Sequence, residues 1–120
     1  MDIQSWDALV GKRCQACEGG LPAYSPDEAR AQLKHVHGDW ELSADAKMIS
    51  RKWKLKSFQQ AMTLAVAVGQ LAEEEQHHPD LHLTGYRFLR IDITTHAIGG
   101  LSENDFILAA KIDNLVSKNT

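Results

Sequence analysis

The chain has 120 residues, 43% hydrophobic and 24% charged, a composition for one globular domain with its own core rather than a disordered tail or a disulfide framework. Thirteen Lys and Arg against sixteen Asp and Glu leave a net charge of −3, so no basic excess points to nucleic acid or an anionic membrane. The opening MDIQSWDALVGKR lacks the regions of a signal peptide, and the longest strongly apolar stretch, Ala61 to Ala72, is too short to cross a bilayer, so a cytoplasmic protein is expected.

Residues 1 to 24 read as an irregular N-terminal lead punctuated by Gly11, Gly19, Gly20 and Pro22, and residues 25 to 120 as the domain proper. Ser25-Pro26-Asp27-Glu28 has the form of a helix start: a Ser cap, Pro at the first position and acids in the first turn. That helix is predicted from Pro26 to about His37, striped by Ala29, Leu33 and Val36 and stopped by Gly38. Two strands follow, Trp40 to Ser43 and Met48 to Lys56, joined at Ala44-Asp45-Ala46. In the second, Ile49, Arg51, Trp53 and Leu55 alternate with Ser50, Lys52, Lys54 and Lys56, as a sheet with one solvated face requires. Ser57 caps a long helix to about Gln76. Its middle, AMTLAVAVGQLA, is apolar over more than one face, so burial by the sheet and by a second subunit is expected. Pro79 stops this helix.

A short strand near Leu81 to Leu83, a Thr84-Gly85 turn and a strand from Tyr86 to Ala97 come next. In the longer strand Leu89, Ile91 and Ile93 take one face, and Arg90, Asp92, Thr94 and His96 the other. Gly99-Gly100 breaks it. Ser102 caps the last helix, with Glu103 and Asp105 in its first turn and Leu108, Ile112, Leu115 and Val116 as its stripe. The order α-β-β-α-β-β-α makes an α+β domain, with helices packed on one antiparallel four-stranded sheet.

Chemistry concentrates in EEEQHHPD. Glu73 and His77 are four apart near a helix end, where such side chains share a face, so a hydrogen bond between them is expected. A carboxylate partner fixes an imidazole's tautomer and raises its basicity. His78 follows where Pro79 forces the chain out of the helix, and strand pairing can return His96 to the same place. Three imidazoles that titrate near neutrality can hold one ring protonated and another neutral. That suits loss of water from a carbinolamine: an acid protonates the leaving hydroxyl while a base takes the proton from the adjacent nitrogen.

Taken alone, a vicinal His pair at a helix end is more often a solvated feature or a cap. Zinc held by His77, His78, His82 or His96 is a further alternative, but adjacent histidines rarely aim at one ion and no familiar ligand spacing accompanies them, so no metal is expected. Cys14-x-x-Cys17 lacks the βαβ context of a redox pair and reads as two reduced thiols packed against the domain. The row Lys52, Lys54 and Lys56 reads as a solvated face.

The string Glu73-xxx-His77-His78-Pro79, then six residues to Tyr86, nine to His96 and eight to Asp105, resembles the signature of the pterin-4a-carbinolamine dehydratases. The resemblance covers roughly residues 10 to 117, and CEGG at Cys17 to Gly20 and TTHAIGGLSENDF from Thr94 to Phe106 are similar to the bacterial members. It implies a hydro-lyase that dehydrates 4a-hydroxytetrahydrobiopterin to the quinonoid dihydropterin without a cofactor, in tetrahydrobiopterin recycling for aromatic amino acid hydroxylases. Carried over by position, His77, His78 and His96 line the pterin site and share acid–base and orienting roles, while Glu73 holds the pterin or positions His77. The backbone of Thr94, Thr95 and His96 bonds the pyrimidine edge, and Asp105 and Tyr86 lie beside the site. Homodimers or homotetramers are implied as well.

Two departures touch substrate affinity and stereoisomer preference without removing an acid or base. Asp80, Leu81 and His82 stand where some members carry an aromatic residue, and Ala97 and Ile98 where others carry a cysteine. The rival on the same fold is a non-catalytic role, as a coactivator of a transcription factor or a RuBisCO assembly factor. The complete set Glu73, His77, His78, His96 and Asp105 favours chemistry.

Overall fold

Side-chain caps set where the helices begin. In the computed structural model, which describes residues 2–15 and 21–118, the Ser5 hydroxyl accepts from the Ala8 amide and opens α1 (Trp6–Gly11). Ser25 and Glu28 accept from each other's backbone amides, a capping box with Pro26 at the first helical position, and open α2 (Pro26–Leu33). Ser57 accepts from the Gln60 amide at the start of α3 (Phe58–Glu75). The last helix is α4 (Glu103–Lys118).

Strands β1 (Glu41–Leu42), β2 (Ile49–Lys54), β3 (Asp80–Thr84) and β4 (Phe88–Ile93) form one antiparallel sheet in the order β1-β2-β4-β3. The predicted class is the observed one. Across the central pair Ile49 faces Ile93, Arg51 faces Ile91 and Trp53 faces Leu89, which puts the apolar alternation on the helix side. The strand expected to begin at Tyr86 begins at Phe88 instead. Gly85 and Tyr86 both take positive φ, 53° and 56°, in the tight turn that reverses β3 into β4.

The lead holds a helix where irregular chain was expected. One and a half turns are too few for an apolar period to register in sequence, and α1 owes its stability to docking. Leu9 is wholly buried, and the buried Gln32 amide bonds the backbone N and O of Gln4, both at 2.8 Å, while accepting from the Tyr24 hydroxyl. Cys14 is a half-buried free thiol. Cys17, Gly19 and Gly20 lie outside the described residues.

Contact with α1 on one side and α3 on another, with Asp113 reaching Arg51 of the sheet, makes α4, rather than α3, the enclosed helix. Every residue from Asn104 to Ala110 is buried, with Phe106 set edge-on to Tyr24 at 5.1 Å between ring centres. α3 packs Ala61, Val68 and Ala72 inward but leaves Phe58, Met62 and Val66 exposed. No helix among the described residues is long and apolar enough to cross a membrane.

A buried carboxylate locks the end of α2, the sheet and α4 together. Asp113 accepts from the Trp40 indole (2.7 Å), the Arg51 guanidinium (2.6 Å) and the His37 amide (2.9 Å). Arg51 in turn lies 4.6 Å over the Trp53 ring. Removing one member of a buried pair strands the other charge. Asp113→Ala should therefore lower stability by about 3–5 kcal/mol, read from the urea midpoint. The double variant Arg51→Met, Asp113→Leu should lose less than Asp113→Ala alone.

Candidate functional site

The chain leaves α3 through a left-handed residue. Gln76 has φ 53° and ψ 37°, and its amide returns to the Ala72 and Glu73 carbonyls while the His77 amide also reaches Ala72, at 3.2 Å. The Gln76 side chain donates to the Glu73 carbonyl at 2.6 Å, which helps hold a conformation unfavourable to residues other than Gly. Pro79 bars any continuation. This turn sends neighbouring rings into opposite environments: His77 is buried, at 4% exposure, and His78 is exposed.

Their partners differ from expectation. Because helical geometry stops at Glu75, the four-residue spacing from Glu73 does not carry through to His77. Glu73 instead meets His78, Oε2 to Nε2 at 2.5 Å on the surface, and His77 Nε2 meets Asp105 Oδ1 at 2.6 Å in the interior. Asp105 is fully buried in the first turn of α4, at the positive end of its dipole. Its second oxygen accepts from the Ser102 amide and the Thr95 hydroxyl, each at 2.8 Å. With its proton given to Asp105, the Thr95 hydroxyl accepts from Ser102 Oγ at 2.8 Å. Facing a carboxylate that only accepts, His77 would donate through Nε2.

Thr95 belongs to the chain just past β4. It bridges to Gly100 in both directions, Thr95 N to Gly100 O at 2.9 Å and Gly100 N to Thr95 O at 3.4 Å. Between them His96–Ile98 form a single 3₁₀ turn closed by Gly99 at φ 64°. His96 therefore opens a turn instead of lying on a strand, and its ring is exposed beside the buried Thr95. The Thr94 hydroxyl is engaged by the Lys47 carbonyl at 2.6 Å.

The fold thus joins His77, Asp105 and Thr95 in direct contact. Glu73–His78 stands one residue beyond His77, and His96 one residue beyond Thr95. Tyr86 is not brought to this group: it sits exposed on the β3–β4 turn, separated by the length of β4, roughly 17 Å at ordinary strand rise. Sequence reasoning missed Ser102 and the Thr95 hydroxyl as partners of Asp105. The signal was present in Ser102-x-x-Asp105, the spacing at which a third-position carboxylate reaches back to the capping amide.

Elsewhere, Asp92 gathers Ser50 (2.6 Å), His82 (2.9 Å) and Arg90 (3.2 Å) on the open face of the sheet. A depression of about 530 Å³ lies there between Lys52, His82, Phe88 and Arg90, with none of His77, His78 and His96 in its walls. Among the described residues no three His, Cys, Asp or Glu side chains group so as to hold a metal ion.

Comparison with known proteins adds context. The family model described as pterin 4 alpha carbinolamine dehydratase matches residues 22–115. A Nitrosomonas eutropha protein, provisionally named pterin-4-alpha-carbinolamine dehydratase, is 46% identical over 108 residues, 90% of this chain and 93% of that one. Pterin-4-alpha-carbinolamine dehydratase 2, mitochondrial, of Arabidopsis thaliana is 46% identical over 110 residues, 89% of this chain and 58% of that one. Among solved structures, the transcriptional coactivator/pterin dehydratase of Brucella melitensis shares the fold with a TM-score of 0.71 at 23% identity, covering 78% of this chain and 98% of that one. A pterin dehydratase-like protein identified as a RuBisCO assembly factor in the alpha-carboxysome matches with a TM-score of 0.54 at 24% identity, covering 68% and 95%.

The left-handed turn that separates the two rings is open to a direct test. Gln76→Gly relieves the positive φ while losing one hydrogen bond, and should stay within about 1 kcal/mol of the parent in urea unfolding. Gln76→Val, β-branched at the same φ, should cost at least about 1 kcal/mol more than the glycine variant.

Proposed function

The chain belongs to the pterin 4 alpha carbinolamine dehydratase family, and from that premise we propose that it dehydrates 4a-hydroxytetrahydrobiopterin to the quinonoid dihydropterin by histidine acid–base catalysis. An imidazolium protonates the 4a-hydroxyl, the C–O bond breaks and water departs. A neutral imidazole takes the proton from the adjacent ring nitrogen, whose electrons form the new C=N bond. One water is lost, and no electrons leave the pterin. The reaction returns an oxidised pterin toward reuse as a hydroxylase cofactor, and takes place in the cytoplasm.

The observation that carries this reading is the buried His77–Asp105 pair, tied through Thr95 to the base of the turn that bears His96. Exposure divides the labour. His78 and His96 are the open rings able to meet a solute and supply acid and base. His77, held by Asp105, orients the end of α3 and the pterin beside it, and Glu73 fixes His78 through its surface hydrogen bond. The backbone of Thr94 and Thr95 at the strand tip offers the pyrimidine edge its hydrogen bonds. Within one chain Tyr86 stays outside this group.

The assembly is read as a homodimer or homotetramer. Phe58, Met62 and Val66 stand four residues apart on the outer face of α3 and are 52%, 42% and 55% exposed, an apolar stripe suited to the same stripe on a second copy.

A rate assay decides between chemistry and a purely binding role. Purified protein should speed the loss of 4a-hydroxypterin absorbance over buffer, and no acceleration would leave only a non-catalytic role on this fold. His96→Ala should reduce turnover by about 10²–10⁴-fold, while His82→Ala, on the open sheet face, should stay within about twofold. Equal rates for the two variants would overturn the site assignment. For the assembly, Val66→Glu should reduce the mass measured by light scattering without loss of helical signal. An unchanged mass would remove α3 from the interface.

A further inference from the structure

The chain leaves α1 through an extended Lys12, and residues 12–15 run across the junction between the end of α3 and the start of α4. Their contacts fall on both helices. The Lys12 ammonium meets Glu103 Oε1 at 2.7 Å, and Arg13 donates to the Glu74 carbonyl at 3.1 Å, one of the acceptors that a helix C-terminus leaves unsatisfied. The Cys14 amide donates to Glu75 Oε1 at 2.8 Å. Gln15 and Asn104 are joined twice, Gln15 N to Asn104 Oδ1 at 2.9 Å and Asn104 Nδ2 to Gln15 O at 2.8 Å, so the side-chain amide pairs with the strap as a neighbouring strand would.

Both anchors are buried polar groups for which the proposed chemistry has no use. Glu75 has a side chain 4% exposed, held by Lys111 at 2.7 Å and by Arg13 at 3.5 Å. Burial pushes its carboxyl up, but the hydrogen bonds from Lys111 and the Cys14 amide, with the Arg13 charge, more than reverse this and hold it below the usual range. Asn104 is 1% exposed. Apolar residues in these two places would leave the Cys14 and Gln15 backbone groups and the Lys111 ammonium without these partners, so Glu75 and Asn104 fix where the strap lies. Cys14 takes no chemical part: burial and the neighbouring Glu75 carboxylate push its thiol far up, away from the reactive thiolate.

Position supplies the rest. Glu75 lies two residues before His77, and Asn104 one residue before Asp105, so the strap ties together the two backbone segments that carry the buried pair. The family match begins at residue 22, beyond the strap. We infer that residues 12–15, acting through Glu75 and Asn104, set the separation of His77 and Asp105, which makes Glu75 and Asn104 positioning residues for the reaction. The kinetic part of this inference rests on the function proposed above. The geometric part does not.

Asn104→Ala in the full chain tests it with two readouts. The first is the low-field ring-proton resonance of His77 bonded to Asp105, assigned by its disappearance in His77→Gln; in Asn104→Ala it should shift upfield or broaden. The second is kinetic: kcat should fall at least about tenfold with KM within about twofold, as expected for an interaction that matters in the transition state. Asn104→Asp keeps the acceptor for Gln15 N and loses the donor, and should fall between the two in both readouts. Trp40→Phe, which removes a hydrogen bond far from the strap, controls for general destabilisation and should leave the His77 resonance in place. Should Asn104→Ala not fold, Arg13→Ala, at a side chain 75% exposed, releases the Glu74 and Glu75 contacts and should move the resonance in the same direction. A lowered melting temperature with the His77 resonance and kcat unmoved would overturn the inference. If the parent protein shows no dehydratase activity, the resonance alone still decides whether the strap positions the pair.

Discussion

A single carboxylate without access to water organises this molecule. Asp105 is sealed inside the protein, and a buried carboxylate must find donors for its lone pairs. It draws them from three directions: the imidazole past the end of α3, the hydroxyl past the end of β4, and the amide that begins its own helix. Those donors fix where α3 stops relative to the sheet and how α4 enters beneath it. The exposed rings of His78 and His96 inherit their places from this arrangement, each sitting one residue outside a member of the buried group. The placement of these surface rings is thus a consequence of hydrogen-bond satisfaction underneath.

The long elements were legible because their signals are local. Ser25-Pro26-Asp27-Glu28 carries its own capping chemistry, and the alternation from Ile49 to Lys56 reports a sheet with one face in water, whatever surrounds it. The joints were less so. Whether His77 takes Glu73 or Asp105 depends on one backbone dihedral at Gln76, and nothing in the residue type Gln announces a left-handed conformation. His96 reads as the next polar position of a strand until the Thr95–Gly100 bridge closes a loop around it. Six residues of α1 hold too little periodicity to be seen, since docking stabilises them. Asp105 itself was named as a site residue from resemblance, and only the folded chain shows what it binds.

Burial is shared unevenly between the two longest helices, and composition misled about which is enclosed. α3 has the more apolar sequence, yet α4 occupies the interior, because the lead supplies a helix that covers its far side. The open face of the sheet has its own electrostatic compromise. Lys52, Arg90 and His82 stand directly opposite one another across three strands, and the Lys52–Arg90 pair lowers sheet stability through like-charge repulsion. The buried carboxylate of Asp92, shared by Arg90 and His82, offsets part of it.

The strap also has a temporal meaning. Residues 12–15 are synthesised early, but Glu103 and Asn104, which receive two of them, emerge from the ribosome about ninety residues later. A nascent chain can form α2, β2 and most of α3 and engage Gln4 with Gln32, while the α4 side of the strap still has no partner. Closing so long a loop is the slow kind of contact, and it joins the strap to the start of α4 at the same junction that holds His77 against Asp105. The buried His77–Asp105 pair therefore forms only once the last helix is made, and a polypeptide released before it leaves His77 without its carboxylate partner.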